Sequence, residues 1–223
     1  MDKLAIFNMA VSLAGGRSVL SSVNAVKVEA EQCRLWYDIS RDFIFRRAYW
    51  PSLRETTALA VVAENDFADN WTATDPPLPW RFAYAAPANM LSARFINSAD
   101  GSVHDAEFQQ QYMIVASVRT KVILTDCPTA VLTYTLPEDN PEAWDVNLQM
   151  AVINQLAANI TSAVSGSPDF ARASAQRAES YTILALENQA NADQQNITLP
   201  QGDILQSRSG YYPGTNLTSG QGQ

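Results

Sequence analysis

Histidine occurs once and cysteine twice in the 223 residues, and each shortage excludes a class of chemistry. Cys33 and Cys127 cannot make the disulfide framework of a small secreted domain, and neither has a neighbour at metal-ligand spacing, so a reducing compartment or simple structural thiols are expected. His104 stands in a polar, turn-rich stretch with no nucleophile motif beside it, which leaves a histidine-based triad without support. Glycine-rich phosphate loops, zinc spacings and glycine-flanked serines are absent. The pair Gly15-Gly16 follows an apolar helical run and reads as a helix stop, whereas phosphate binding needs glycines ahead of a helix. No catalytic, cofactor-binding or metal-binding residue is assigned, and the expectation is a protein that is not an enzyme and uses no cofactor.

Charge is scarce as well. Only 17% of residues are charged, with 15 Lys and Arg against 23 Asp and Glu for a net charge of −8; soluble domains usually carry roughly 25%. So few basic residues exclude a protein that holds nucleic acid through its net field. Arg46, Arg47 and Arg54 around Trp50 make the densest basic patch, which reads either as a solvated face or as a contact for phosphate or an acidic partner. Residues 1–13 lack the basic region and unbroken apolar core of a signal peptide, so export by that route is not expected. With 47% hydrophobic residues, some of the surface is expected to meet other subunits.

Patterning supplies the elements. Leu4, Phe7, Ala10, Val11 and Ala14 recur at helical spacing and predict a helix over 3–14, stopped by Gly15-Gly16. Asn24 is placed to cap a second helix to about residue 49, with Val26, Ala30, Cys33, Tyr37, Ser40 and Ile44 on one stripe, Trp36 and Phe43 beside it, and Pro51 as the stop. Strands are predicted over 56–63, 81–85, 93–97, 111–118, 120–125 and 129–136. In the last, Ala130, Leu132, Tyr134 and Leu136 alternate with Thr129, Val131, Thr133 and Thr135, as in a half-buried strand. Asn140-Pro141 predicts the start of a helix to Val164 whose residues 146–164 are all uncharged. Interspersed Asn147, Gln149, Asn154, Gln155, Asn159, Thr161 and Ser162 argue against a membrane span, and burial inside an assembly is expected instead. A fourth helix, from Pro168 to about Gln194, carries Ala171, Ala175, Ala178, Ala185, Gln189 and Ala192 on one narrow stripe. The predicted fold class is α+β: an antiparallel bundle of about four helices from 1–55 and 137–194, a small β-rich insertion at 56–136, and an extended C-terminal arm at 195–223.

Two segments invite functional readings. Residues 64–80 hold Glu64, Asp66, Asp69 and Asp75 with three prolines and no basic residue. Converging carboxylates serve glycoside cleavage or calcium binding, so a cell-wall hydrolase using this loop is the alternative function; a solvated acidic loop is the plainer reading. From about residue 195 the sequence turns to Gln, Ser, Thr, Asn and Gly and cannot bury a core of its own. Ile197, Leu199, Ile204, Leu205, Tyr211 and Tyr212 are its spaced anchors, fitting a strap on a neighbouring subunit or a loose terminus alike.

The order of segments carries a resemblance. The helix ending at Gly15-Gly16 comes first, then Val26-Lys-Val-Glu-Ala-Glu-Gln-Cys-Arg-Leu-Trp-Tyr-Asp-Ile-Ser-Arg-Asp42 and Arg47-Ala-Tyr-Trp-Pro51. Trp80-Arg-Phe-Ala-Tyr-Ala-Ala-Pro-Ala-Asn-Met-Leu91 and Val131-Leu-Thr-Tyr-Thr135 follow. Together these resemble the tail tubular proteins of short-tailed bacteriophages, the head-to-tail adaptors, over residues 1–195. Each piece is a degenerate aromatic and aliphatic pattern, and no residue after 195 matches.

The resemblance implies a structural virion protein of the tail neck, made in the host cytoplasm. It implies a ring of about twelve copies under the portal protein, a DNA channel crossed without specific binding, and seats for a tail nozzle protein and a tail fibre or tailspike, with no membrane contact. Helices would line the channel, the β-rich part would lie outside, and the arm would reach the portal through Ile197, Leu199, Ile204, Leu205, Tyr211 and Tyr212. Trp36, Tyr49, Trp50 and Trp80 are expected in the core or at subunit contacts. Net negative charge suits a channel that DNA must cross without sticking.

Overall fold

A computed structural model describes residues 1–67, 72, 74–115 and 117–195. Met1–Glu187 forms one compact unit, and a second unit begins at Asn188. The arm anchors Ile197, Leu199, Ile204, Leu205, Tyr211 and Tyr212 lie outside the described residues.

Helix α1, Lys3–Leu13, opens on Asp2, whose carboxylate accepts the Ala5 N–H at 2.7 Å. It closes as the glycine pair predicts: Gly15 takes φ +85°, and the Gly15 and Gly16 N–H groups donate to Ser12 and Val11 carbonyls at 3.1 and 2.8 Å. These are the two bonds of a Schellman stop, which needs a left-handed residue that glycine supplies without strain. Helix α2, Val28–Arg47, starts later than Asn24 predicts, because residues 22–25 close a turn first and Lys27 precedes the helix without a side-chain cap. Glu29 and Glu31 supply the negative charge its first turn favours. Asn140 caps only a short 3-10 turn at Pro141–Ala143; helix α3, Val146–Val164, has its own cap, Asp145, which accepts from the Asn147 and Leu148 N–H groups. Helix α4 spans Pro168–Gln195.

The uncharged helix finds its burial inside the chain. Leu148, Ala151, Val152, Ile153, Leu156, Ala157 and Ile160 of α3 sit in one core with Ile6, Phe7, Ala10 and Val11 of α1 and Ala30, Cys33, Tyr37, Ile44 and Phe45 of α2. Most of its buried polar groups are hydrogen-bonded, Asn154 Oδ1 being the exception among the described residues. Gln149 Nε2 donates to the Pro141 and Trp144 carbonyls, Thr161 Oγ1 to Ala157, Asn154 Nδ2 to Met150, and Asn159 Nδ2 to Ser40 Oγ of α2 at 2.8 Å. The expectation that neighbouring subunits must cover this helix is therefore corrected: α1 and α2 cover it.

Among the described residues, seven strands make two antiparallel sheets. Strands β1 (Arg54–Ala58), β4 (Ser92–Ser98) and β7 (Ala130–Thr135) pair in the order β1-β7-β4; β2 (Val61–Glu64), β3 (Phe82–Ala85), β5 (Gln109–Val115) and β6 (Val118–Thr125) pair as β2-β3-β6-β5. The sheets meet around Phe82, Tyr84, Ile96, Ile123, Leu132 and Tyr134, and the other face of the second sheet holds Ala83, Met113, Val122 and Leu124. On β7 the predicted alternation puts Ala130, Leu132 and Tyr134 in the core, but Thr133 and Thr135 are buried too. As the central strand of its sheet, β7 is covered on its second face, where Thr56 Oγ1 meets Thr133 Oγ1 and Arg94 Nε donates to Thr135 Oγ1.

The predicted four-helix bundle with a small β insertion does not form. The molecule is a mixed α+β fold in which two sheets carry two of the three apolar clusters among the described residues. A bundle needs a broad apolar stripe on every helix. Helix α4 instead buries Ser174, Ala178, Thr182 and Ala185, a face too small to serve as a fourth wall equal to the others.

Candidate interaction surfaces

The four sequence-predicted aromatics go to different places. Trp50 is buried at 1% exposure, its indole N–H donating to the Ile44 carbonyl at 3.2 Å. Trp36 is half-buried against the helical core. Tyr49 is half-buried, edge-to-face with Phe95 at 5.1 Å, and its hydroxyl accepts from Arg54 at 3.1 Å. Trp80 packs on the outer cluster of the second sheet and donates to Gln109 Oε1 at 3.2 Å; a shallow cavity of about 540 Å³ beside it reaches Asp105 and Glu107.

The basic patch around Trp50 is largely committed within the chain. Arg46 donates to the Leu91 carbonyl at 2.7 Å, and Arg47 pairs with Glu179 of α4 and lies over the Phe43 ring at 5.4 Å. Arg54 lies over Tyr49 at 5.7 Å. In the acidic loop, Glu64 and Asp75 are each engaged with a separate partner. Glu64 pairs with Arg81 at 3.2 Å, and Asp75 accepts the Thr72 N–H and hydroxyl at 2.7 and 2.8 Å. Asp69 lies outside the described residues. Among the described residues no group of three His, Cys, Asp or Glu side chains is placed to hold a metal ion, and no helix is long and apolar enough to cross a membrane.

Two electrostatic clamps escaped the sequence reading. Arg41 is buried and sits among Asp38, Asp42 and Asp139. Burial works against its charge, but bonding to Asp42 and the fields of Asp42, Asp139 and Asp38 outweigh it and raise its pKa above the ordinary value. Arg94, from β4, donates to the Phe45, Arg46 and Ala48 carbonyls at 3.0, 3.2 and 2.5 Å. A guanidinium there satisfies the end of α2 and complements its negative pole, while burial lowers the Arg94 pKa. Neither partnership has a local signal: Arg94 lies 46 residues from Ala48 in sequence.

What α2 leaves uncovered is its other face. Leu35, Ile39 and Phe43 recur every fourth residue and are 61%, 56% and 46% exposed, opposite the stripe of Cys33, Tyr37, Ser40 and Ile44 that enters the core. Four-residue spacing aligns side chains in one row, and Arg34, Asp38, Asp42 and Arg46 border it with charge along one side. An exposed apolar row beside polar surface is the anatomy of a protein contact. The spacing was present in the sequence, but the core stripe beside it drew the helix assignment. No family model matches the chain, and no curated protein matches it.

Proposed function

We propose that the chain is a structural adaptor subunit of a short-tailed phage neck. It works by assembly, joining the portal protein to a tail nozzle protein and seating a tail fibre or tailspike around a DNA channel. The observation that carries this reading is the exposed row Leu35, Ile39 and Phe43 on a helix whose opposite face is fully engaged, since a rigid, exposed apolar strip suits repeated head-to-tail contact between copies. The ordered sequence resemblance supplies the virion setting. Ring closure uses α2, and the arm at 195–223 reaches the portal through its spaced apolar residues.

Mixing the purified protein with portal rings and weighing the product by light scattering or electron microscopy tests it. The expected product is a portal carrying a ring of adaptor copies. Ile39→Glu places a carboxylate in the middle of the row and is expected to abolish ring growth while leaving the circular dichroism spectrum unchanged. A parent protein that ignores portal rings overturns the reading.

A further inference from the structure

Four strands border the two sheets, and three of them are defended against pairing with another chain. Strand β1 carries Arg54 and Glu55, β4 has a bulge at Arg94, and β2 is four residues long with a bulge and ends on Glu64. Charge, bulges and shortness are the usual means of blunting an edge. Strand β5 has none of them: Gln109-Gln-Gln-Tyr-Met-Ile-Val115 is seven residues without charge, proline or bulge, in regular register with β6.

Among the described residues no strand lies beyond β5, and its outward backbone can be identified. Pairs along the ladder alternate between hydrogen-bonded and not, and in the phase that bonds Val115 to Val118 the pairs Ile114 with Arg119, Tyr112 with Lys121 and Gln110 with Ile123 are not bonded to each other. Lys121 confirms the phase, because its carbonyl accepts the Ala86 N–H on the far side, at 3.1 Å. The N–H and C=O groups of Gln110, Tyr112 and Ile114 therefore face out from the edge. Beside them lies a cavity of about 320 Å³, walled by Thr74, Asp75 and Pro77 on one side and by the strand from Gln111 to Ile114 on the other. Consecutive strand residues point to opposite faces, so four in a row border one space only along the edge. Tyr112 and Ile114 are 58% and 64% exposed.

We infer that the edge of β5 is a pairing site for β5 of a second copy of this chain, antiparallel and centred on Tyr112. The three outward residues are symmetric about Tyr112, so Gln110 meets the second copy's Ile114 and every outward N–H and C=O finds a partner. The strand brings no charge to repel its copy. Its ends are complementary: Asp105 and Glu107 precede it, while Arg119, lying over the Tyr112 ring at 4.6 Å, stands opposite Ile114 toward its other end. Antiparallel pairing sets the acidic end of one copy beside the basic end of the other. A two-fold contact closes on itself, so this pair is a state of the free chain and is separate from the α2 contact.

Cysteine trapping of the full chain, with no portal present, tests the pair and its register. At the two-fold axis Tyr112 and its copy form a bonded pair with Cα atoms about 5.5 Å apart, inside the roughly 4.4–6.8 Å that a disulfide spans. Tyr112→Cys is expected to give, on mild oxidation, a species of twice the 24.5 kDa chain mass. Ile114→Cys, whose copy lies four residues along, roughly 14 Å away, is expected to remain single. Cys33 and Cys127 are buried and do not compete. Without cysteines added, sedimentation of the parent should show the dimer, and Tyr112→Lys, which sets like charges face to face, should shift it to monomer. A parent that stays monomeric at all concentrations, equal trapping at 112 and 114, or a dimer that survives Tyr112→Lys overturns the inference. The portal experiment is read separately, so either proposal can fail alone.

Discussion

Arg94 shows how much one side chain can organise. Its guanidinium takes the three carbonyls that end α2 and the hydroxyl of Thr135 on β7, so it ties a helix terminus to the centre of a sheet. Hydrogen bonds to a charged group contribute about 1.5–3 kcal/mol net. Arg94→Ala should lower the unfolding free energy by about that amount, read from the urea midpoint at unchanged slope, and Arg94→Lys should restore only part because an ammonium cannot reproduce the planar fork. Asp100 acts at a turn. The Ser98 hydroxyl first, then the Ser102 N–H and hydroxyl, hold its carboxyl at about 2, below the ordinary 3.8. A carboxyl whose folded pKa is depressed stabilises above its unfolded pKa and loses that contribution as pH falls through the folded one. Its contribution is therefore complete above about pH 4 and lost by about pH 2. Asp100→Asn should flatten acid-induced unfolding in that window, measured as the denaturant midpoint against pH. The buried thiol of Cys33, pushed up to about 12 by burial and then by Glu29, adds nothing near neutrality.

Helices were the elements most legible in the sequence, because their periods and stops are local. Gly15-Gly16 ended α1 as read, yet the structure gives the pair a second duty. A Cβ on Gly15 would lie 2.8 Å from the Phe170 ring of α4, and one on Gly16 2.6 Å from Val11 and 2.9 Å from Val164. Gly15→Ala combines that clash with a left-handed φ and should destabilise by about 1–3 kcal/mol in denaturant unfolding. The start of α2 was misread because Asn24 has the right side chain for a cap while the turn at residues 22–25 intervenes. Strand positions were legible through their β-branched alternation, but partners were not. Arg54 pairs with Thr135 across 81 positions, and no local pattern specifies such a ladder. The same blindness explains why Thr133 and Thr135 were assigned to an exposed face and why the β5 edge went unnoticed: an edge is defined by the strand that is missing beside it.

For the whole molecule, low charge has a cause inside the chain. Few charges and an uncharged α3 suggested extensive contact between subunits, but the chain spends that helix on its own core. The surfaces proposed for assembly are smaller and more specific, a row on α2 and an edge on β5. In the acidic loop, carboxylate counts say nothing about partners, and Glu64 and Asp75 are each engaged close by. The central place of α3 also sets a schedule for synthesis. Between the end of α2 at Arg47 and the start of α3 at Val146 the ribosome must add 98 residues, which takes roughly 5–20 s at bacterial and eukaryotic elongation rates. For that interval α1 and α2 have emerged with their apolar faces and no helix to receive them. The nascent chain is most exposed to mispairing while its sheets are being made, and a translational pause before residue 146 would lengthen that exposure more than a pause anywhere after it.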